Sequence, residues 1–252
     1  MDEATLQQTA QTHLERLRAN PYPGRGIVLG QTAGGTAWLQ LYWIMGRSEN
    51  SRNRVFVADG QRLRTEPLHP EKVENPELVI YNAMDVHEAH HVVTNGDQTD
   101  TVMDALRRGA GPEDALRTRR HEHDAPHYTP RISGGVHAVT GSAWLAILKA
   151  DHTQPAGSRD GGVVTQSLRQ FHEFEALPAG LGWCLTTYAG DGSPLPSYGG
   201  EPMLLPLSGE GEELIQAFWG ALNAENRVAL ALKTIPCNGS APTLRIMNQY
   251  SK

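Results

Sequence analysis

The sequence predicts an α+β layered domain, and three observations carry that expectation. Strand-like runs come in pairs around glycine-bearing turns, as antiparallel hairpins require. Helical periodicity is bunched in a few stretches instead of alternating with strands, which argues against a βαβ arrangement. The run Ala37-Trp38-Leu39-Gln40-Leu41-Tyr42-Trp43-Ile44-Met45 is apolar almost throughout, which suits a strand covered on both faces.

Each element follows from a local pattern. Residues 1–19 read as a helix because Leu6, Ala10, His13, Leu14 and Leu17 recur at three- and four-residue spacing, and Asn20-Pro21 ends it. A strand at 26–30, a turn at Gly34-Gly35 and the apolar strand at 36–45 form a hairpin. It runs into Arg47, Arg52 and Arg54, which places guanidinium groups at the rim of a core, a natural anion site. A strand at 54–58 turns at Asp59-Gly60, and Pro67 and Pro70 open a connecting loop. Residues 77–83 (ELVIYNA) and 91–94 (HVVT) are further strands. Helices are expected at 100–108, stopped by Gly109 and Gly111, and at 112–118, where proline is tolerated in the first turn. The ionisable stretch 119–130 (RRHEHDAPHYTP) has no periodicity and reads as a loop. Residues 131–139 and 142–150 make another hairpin, 161–166 starts a strand, and 182–188 is a strand before a proline- and glycine-rich loop at 190–198. A helix at 209–222 buries Leu214, Ile215, Phe218 and Trp219, and strands at 227–234 and 243–248 close the chain.

Composition excludes several classes. A chain of 252 residues with 39% hydrophobic and 20% charged content is neither disordered nor membrane-spanning, and no repeat or low-complexity tract divides it. Its longest apolar run is too short for a bilayer, and its polar amphipathic start lacks a basic segment followed by an apolar one, so a cytoplasmic protein is expected. Cys184 and Cys237 give no disulfide framework and read as free buried thiols. With 22 basic against 28 acidic residues and no basic block, nucleic acid is not an expected partner. An anionic ligand would have to be held by a few placed arginines.

Several motifs fail on context. His87-Glu88-Ala89-His90-His91 matches H-E-x-x-H, but that chemistry needs both histidines one helical turn apart, and here the motif lies in a short loop between strands. Gly24-Arg25-Gly26 lacks dinucleotide spacing, and neither a G-x-S-x-G elbow nor a Walker A lysine occurs. What stands out instead are polar residues at strand ends and in loops: Arg25, Arg54, Tyr81-Asn82, Asn95-Gly96-Asp97, Thr99-Asp100, Glu122, Asp124, Thr129-Pro130-Arg131 and Tyr188. Each has a plainer role available. Asn95-Gly96 can be a turn, Thr99 or Asp100 a helix cap, Arg131 a surface ion pair, and either tyrosine a core phenol.

From Tyr22 onward the chain resembles the archaeal-type IMP cyclohydrolase family. The resemblance rests on Pro23-Gly24-Arg25-Gly26, Ser51-Arg52-Asn53-Arg54, Tyr81-Asn82, the run from Val93 to Thr101 (VTNGDQTDT) and Thr129-Pro130-Arg131-Ile132, with weaker similarity through Thr186-Thr187-Tyr188 to the end. It implies a four-layer α-β-β-α sandwich like that of the N-terminal-nucleophile hydrolases, without autoprocessing. The whole chain would be one such domain, with residues 1–19 an extra helix. The implied reaction closes the ring of 5-formamido-4-carboxamidoimidazole ribonucleotide to inosine monophosphate with loss of water, without a cofactor or metal. The partner would be a small purine ribonucleotide, with a homo-oligomer left open.

For that chemistry Arg54 and Tyr81 are the expected donors at the developing oxyanion, and Glu122, with Asp124 as rival, the proton carrier. Arg25, Arg131, Asn82, Thr99, Asp100 and the backbone around Asn95, Gly96 and Asp97 are the expected ribose and phosphate contacts. The histidine-rich wording of 121–127 departs from the family pattern and adds His121 and His123 as candidates for proton transfer. Three alternatives stand beside this reading: a relative acting on a purine-like nucleotide or an amide; a non-catalytic nucleotide-binding protein; and a metal hydrolase, which needs His87, His91, His121 and His123 to converge.

Overall fold

The computed structural model describes residues 2–73, 75–153 and 164–250. In chain order the elements are α1 (Glu3–Ala19), β1 (Gly26–Gln31), β2 (Ala37–Met45), α2 (Glu49–Arg52), β3 (Val55–Asp59), β4 (Arg62–Glu66), α3 (Pro76–Val79), β5 (Asn82–His87) and β6 (His90–Thr94). Then come α4 (Gln98–Arg107), α5 (Pro112–Arg117), β7 (Arg131–His137), β8 (Ala143–Ala150), β9 (Ser167–Phe174), β10 (Leu181–Thr186), β11 (Met203–Pro206), α6 (Glu212–Ala221), β12 (Arg227–Pro236) and β13 (Thr243–Asn248). They form two antiparallel sheets, one of six strands in the order β11-β10-β1-β2-β12-β13 and one of seven running from β3 to β9 in sequence order.

Side-chain alternation explains how the sheets layer. On β2, Tyr42 and Ile44 join Ile27 and Leu29 of β1 in a cluster with Val93, Ile132, Leu145 and Ile147 of the other sheet, so these faces pack together. The alternate residues Leu39, Leu41, Trp43 and Met45 face outward onto Leu17 of α1 and Leu214, Ile215, Phe218 and Trp219 of α6. That is why β2 carries no polar face. Gly26 opens β1 because a Cβ there would stand 1.9 Å from the Trp43 ring. On the second sheet's outer face, Val92, Ala146 and Leu148 pack on Val102, Met103, Ala105, Ala115 and Leu116 of α4 and α5. Mixed α and β elements in two antiparallel sheets, with helices on the outer faces, are compatible with a sandwich.

Helix α1 starts where Asp2 accepts a hydrogen bond from the Thr5 amide at 2.8 Å, and it packs Ala10 and Leu6 on Leu181 and Leu204. Several boundaries differ from the sequence reading. Residues 77–83 are not one strand: Pro76 takes the first turn of a short helix, and β5 begins only at Asn82. Strands β9 and β11 and the short helix α2 were not anticipated. The strand start expected at 161–166 lies partly outside the described residues, and residues 164–166 are not strand. Both cysteines are free, but Cys237 is exposed and only Cys184 is buried. Among the described residues no helix is long and apolar enough to cross a membrane.

Polar groups also lie within the layers. Lys233 is 1% exposed and donates to the Gln61 carbonyl at 2.9 Å, Gln40 donates to the His91 carbonyl at 2.9 Å, and Asp85 pairs with Arg62 at 3.1 Å. Burial pulls Lys233 down to about 8, Asp85 opposing, and pulls His91 down to about 3, with Lys233 adding to the effect.

Candidate active site

One end of the two sheets gathers the strand ends that carry charge. Gly26 at the start of β1 lies opposite Trp43 near the end of β2, so Arg25 and Arg47 emerge together. Arg54 immediately precedes β3. The chain after β10 closes on the same corner: Thr187 and Tyr188 donate their amides to the Arg25 and Pro23 carbonyls at 2.9 and 3.1 Å. Gly24 permits this approach, since its φ is +74° and a Cβ would stand 2.2 Å from Thr187 Oγ1. The 119–130 loop supplies the acids, anchored by the Glu122 amide donating to the Thr129 carbonyl at 2.9 Å.

These segments enclose a cavity of about 260 Å³ whose lining includes Arg25, Arg47, Arg54, Glu122, Asp124 and Tyr188. The two acids differ in their commitments. Asp124 accepts from the Thr129 amide at 2.7 Å and from the Thr129 hydroxyl, which also contacts the Tyr188 hydroxyl at 2.6 Å. Glu122 is 2% exposed, and its nearest cation is Arg25 at 4.0 Å. Burial pushes the Glu122 carboxyl above the usual range against the pull of Arg25, with Asp124 adding to the rise. Burial opposes the charge on Arg25, but Glu122 holds it above the ordinary arginine value. Arg54 is 3% exposed, donates only a long 3.4 Å bond to the Leu78 carbonyl, and has a buried Nε without a partner. Burial and then the charge of Arg25 lower its pKa. Arg25, Arg54, Glu122 and Asp124 thus line one cavity, and burial holds the Glu122 carboxyl above the usual range there.

The structure divides the remaining candidates. Tyr81 meets Tyr42 hydroxyl to hydroxyl at 2.7 Å, and with Asn82 and Asp100 it lines a separate cavity of about 510 Å³, where Asn82 donates to Asp100 at 2.9 Å. Asn95 binds the Pro130 carbonyl and the Ile132 amide at 2.9 and 2.8 Å, and the Gly96 amide turns to Thr94 Oγ1. Thr99 Oγ1 contacts Thr94 Oγ1 at 2.7 Å, while Asp97 accepts from Arg131 at 2.6 Å and from Arg119. This group knits the joint between β6, α4 and β7. Arg52 likewise ties to the Gly46 carbonyl at 2.9 Å.

The histidines do not converge. His87 and His90 flank the two-residue turn of the β5–β6 hairpin, so the H-E-x-x-H string is not helical. His121 contacts Ser167 Oγ at 2.7 Å and the Val164 carbonyl at 3.1 Å, and His123 pairs with Glu77. Among the described residues no group of three or more metal-ligating side chains assembles. Sequence reasoning missed Tyr22 and His127 in the cavity lining. The Leu195 amide donates to His127 Nδ1 at 3.2 Å, which leaves the proton of a neutral ring on Nε2. Its place in the ionisable 119–130 loop is the one signal that could have found it.

Arginines and a buried carboxyl with a raised pKa lining one small cavity make it a candidate small-molecule site. Residues 22–239 match the model of the IMP cyclohydrolase-like protein family, and the chain belongs to that family. Among curated proteins it is similar to the IMP cyclohydrolase of Methanopyrus kandleri, at 33% identity over 116 residues covering 44% of this chain and 57% of that one. The IMP cyclohydrolase of Methanothrix thermoacetophila is 33% identical over 129 residues, 48% of this chain and 62% of that one. That of Halobacterium salinarum is 32% identical over 134 residues, 52% and 64% respectively. The chain thus spans about 60% of the length of these relatives.

Proposed function

We propose that the protein is an IMP cyclohydrolase that closes the purine ring of 5-formamido-4-carboxamidoimidazole ribonucleotide, or opens it in reverse, on a single cytoplasmic domain. The domain is proposed to be a four-layer α-β-β-α sandwich related to the N-terminal-nucleophile hydrolases, with α1 as an addition. The observation that carries the reading is the buried Glu122 carboxyl, 4.0 Å from Arg25, sharing a cavity with Arg25 and Arg54.

Nucleophile and electrophile are parts of one molecule, so the site chiefly holds the near-attack rotamer. Glu122 as carboxylate takes a proton from the carboxamide nitrogen as that nitrogen bonds to the formyl carbon. Arg54 stabilises the charge growing on the formyl oxygen. Glu122 returns that proton to the oxygen to give the carbinolamine. It then takes the formamide N–H proton and delivers it to the hydroxyl, which leaves as water while the C=N bond forms, so Glu122 ends in the state in which it began. A raised carboxyl pKa suits both halves of this exchange. Glu122 is favoured over Asp124 because both Asp124 oxygens already serve Thr129. Arg25 orients Glu122 and contributes to the anion field. Tyr81, joined to Tyr42, is assigned to the same electrostatic cluster, since Arg25 and Arg54 both act on the Tyr42 phenol.

The test is metal-free turnover of the formylated ribotide, followed by purine absorbance, with wild type beside Arg54→Ala, Tyr81→Phe and Glu122→Gln. Rapid closure by the wild type and large losses in Arg54→Ala and Glu122→Gln are expected. Binding of inosine monophosphate without any closure would support a nucleotide-binding role instead.

A further inference from the structure

Arg47 differs from the other arginines of the cavity in how its charge is answered. Arg25 faces Glu122 across 4.0 Å, and Arg54 has no carboxylate within salt-bridge range among the described residues. Arg47 is paired with Asp191 and donates to the Gly192 carbonyl at 3.2 Å, while its guanidinium lies 4.9 Å from the centroid of the Tyr22 ring. Tyr22 and Arg47 line the cavity, but Asp191 does not. The ion pair is open to water, with the two side chains 33% and 50% exposed.

An exposed ion pair of this kind holds its partners weakly, because water screens the attraction and two mobile side chains must be fixed. The tyrosine face keeps the guanidinium at the mouth of the cavity whichever anion it meets. A phosphate dianion carries more charge than a carboxylate and accepts two parallel guanidinium bonds, so it competes well with Asp191. We infer that Arg47 is a specificity residue for the phosphate of a bound nucleotide, and that it exchanges Asp191 for that phosphate on binding. Asp191 is then a competitor held in cis, and its removal should strengthen nucleotide binding.

This inference rests on the proposed nucleotide chemistry, so its test uses binding as well as turnover. Dissociation constants for inosine 5′-monophosphate and for inosine are measured by calorimetry on wild type, Arg47→Ala, Arg47→Lys, Asp191→Ala and the double alanine variant, with KM and kcat for the ribotide alongside. Arg47→Ala should weaken nucleotide binding about ten- to a hundredfold, the range of a charge-assisted hydrogen bond, and leave inosine binding unchanged. Arg47→Lys should fall between. Asp191→Ala should tighten nucleotide binding by roughly two- to fivefold, in line with losing an exposed ion pair, and the double variant should match Arg47→Ala. KM should follow these changes while kcat stays near the wild type. Equal weakening in Arg47→Ala and Asp191→Ala would make the pair a static clamp and overturn the exchange. Equal affinity of the wild type for nucleotide and nucleoside would overturn it too, whether or not the chain turns over.

Discussion

The contrast between two groups of buried ionisable residues, those around Glu122 and those around Lys233, separates a candidate site from a structural cluster. Glu122 and Lys233 are both almost fully buried, and burial shifts both toward their neutral forms. Lys233 gives a hydrogen to the Gln61 carbonyl, and Asp85 beside it is paired with Arg62. Lys233, Asp85 and His91 do not line the cavity that Glu122 faces. Glu122 accompanies two arginines in a cavity lining, and one of these, Arg54, has no carboxylate partner among the described residues. A perturbed pKa is therefore common to both groups. Unanswered charge facing space large enough for a ligand belongs to one.

The largest expected effect tests that distinction directly. Glu122→Gln should lower kcat by about 10² to 10⁴, the usual contribution of a positioned acid or base, whereas Lys233→Met should leave kcat within about twofold. Equal losses would break the comparison. Arg54→Ala should cost roughly 10² to 10³ in kcat/KM, as expected for a donor at a developing oxyanion.

The two groups should also part in their pH dependence. The folded pKa of Lys233, about 8, is below its ordinary 10.5, so between those values the unfolded chain binds more protons and stability rises with pH. Stability followed by urea unfolding should gain on the order of 3 kcal/mol across that window, a gain absent from Lys233→Met. Glu122 has the opposite sign. Its carboxyl is raised above 4.5, so the folded state binds more protons and stability falls as pH climbs through the raised value. Glu122→Gln should remove that fall and gain stability above it while losing activity, the exchange expected of a site under strain. Smallest of all, His87→Ala should change turnover by less than about twofold, since that side chain is at a hairpin turn away from the cavity.

Much of the fold was legible because it depends on local patterns. The continuous apolar run of β2 announced a strand covered on both faces, and the H-E-x-x-H string was dismissed because strand-forming residues follow it. Residues 77–83 misled because Leu78, Val79 and Ile80 look like a strand, while Pro76 favours a helical first turn. Strand β9 stayed hidden because it is a half-exposed edge strand, rich in polar residues along both faces. For the candidate site, Arg25, Arg54, Glu122 and Asp124 share a cavity, yet Asn82 and Asp100 bond to each other elsewhere, and Asn95, Asp97 and Arg131 knit one joint. Neighbours along a motif diverge in space when a strand end separates them, and a single sequence carries no signal of which cavity each will face.

The contact between Tyr42 and Tyr81 has a further consequence when its hydrogens are counted. Two hydroxyls 2.7 Å apart own two hydrogens, and the bond between them uses one. The pair therefore has a direction: the ring that accepts has its own hydrogen left to offer, and the ring that donates has none. Reversing the bond moves the available hydrogen from one ring to the other without moving a heavy atom. Tyr81→Phe and Tyr42→Phe, alike in shape and burial, would each abolish the bond and leave only the other ring's hydroxyl hydrogen to offer, that of Tyr42 in the first and that of Tyr81 in the second.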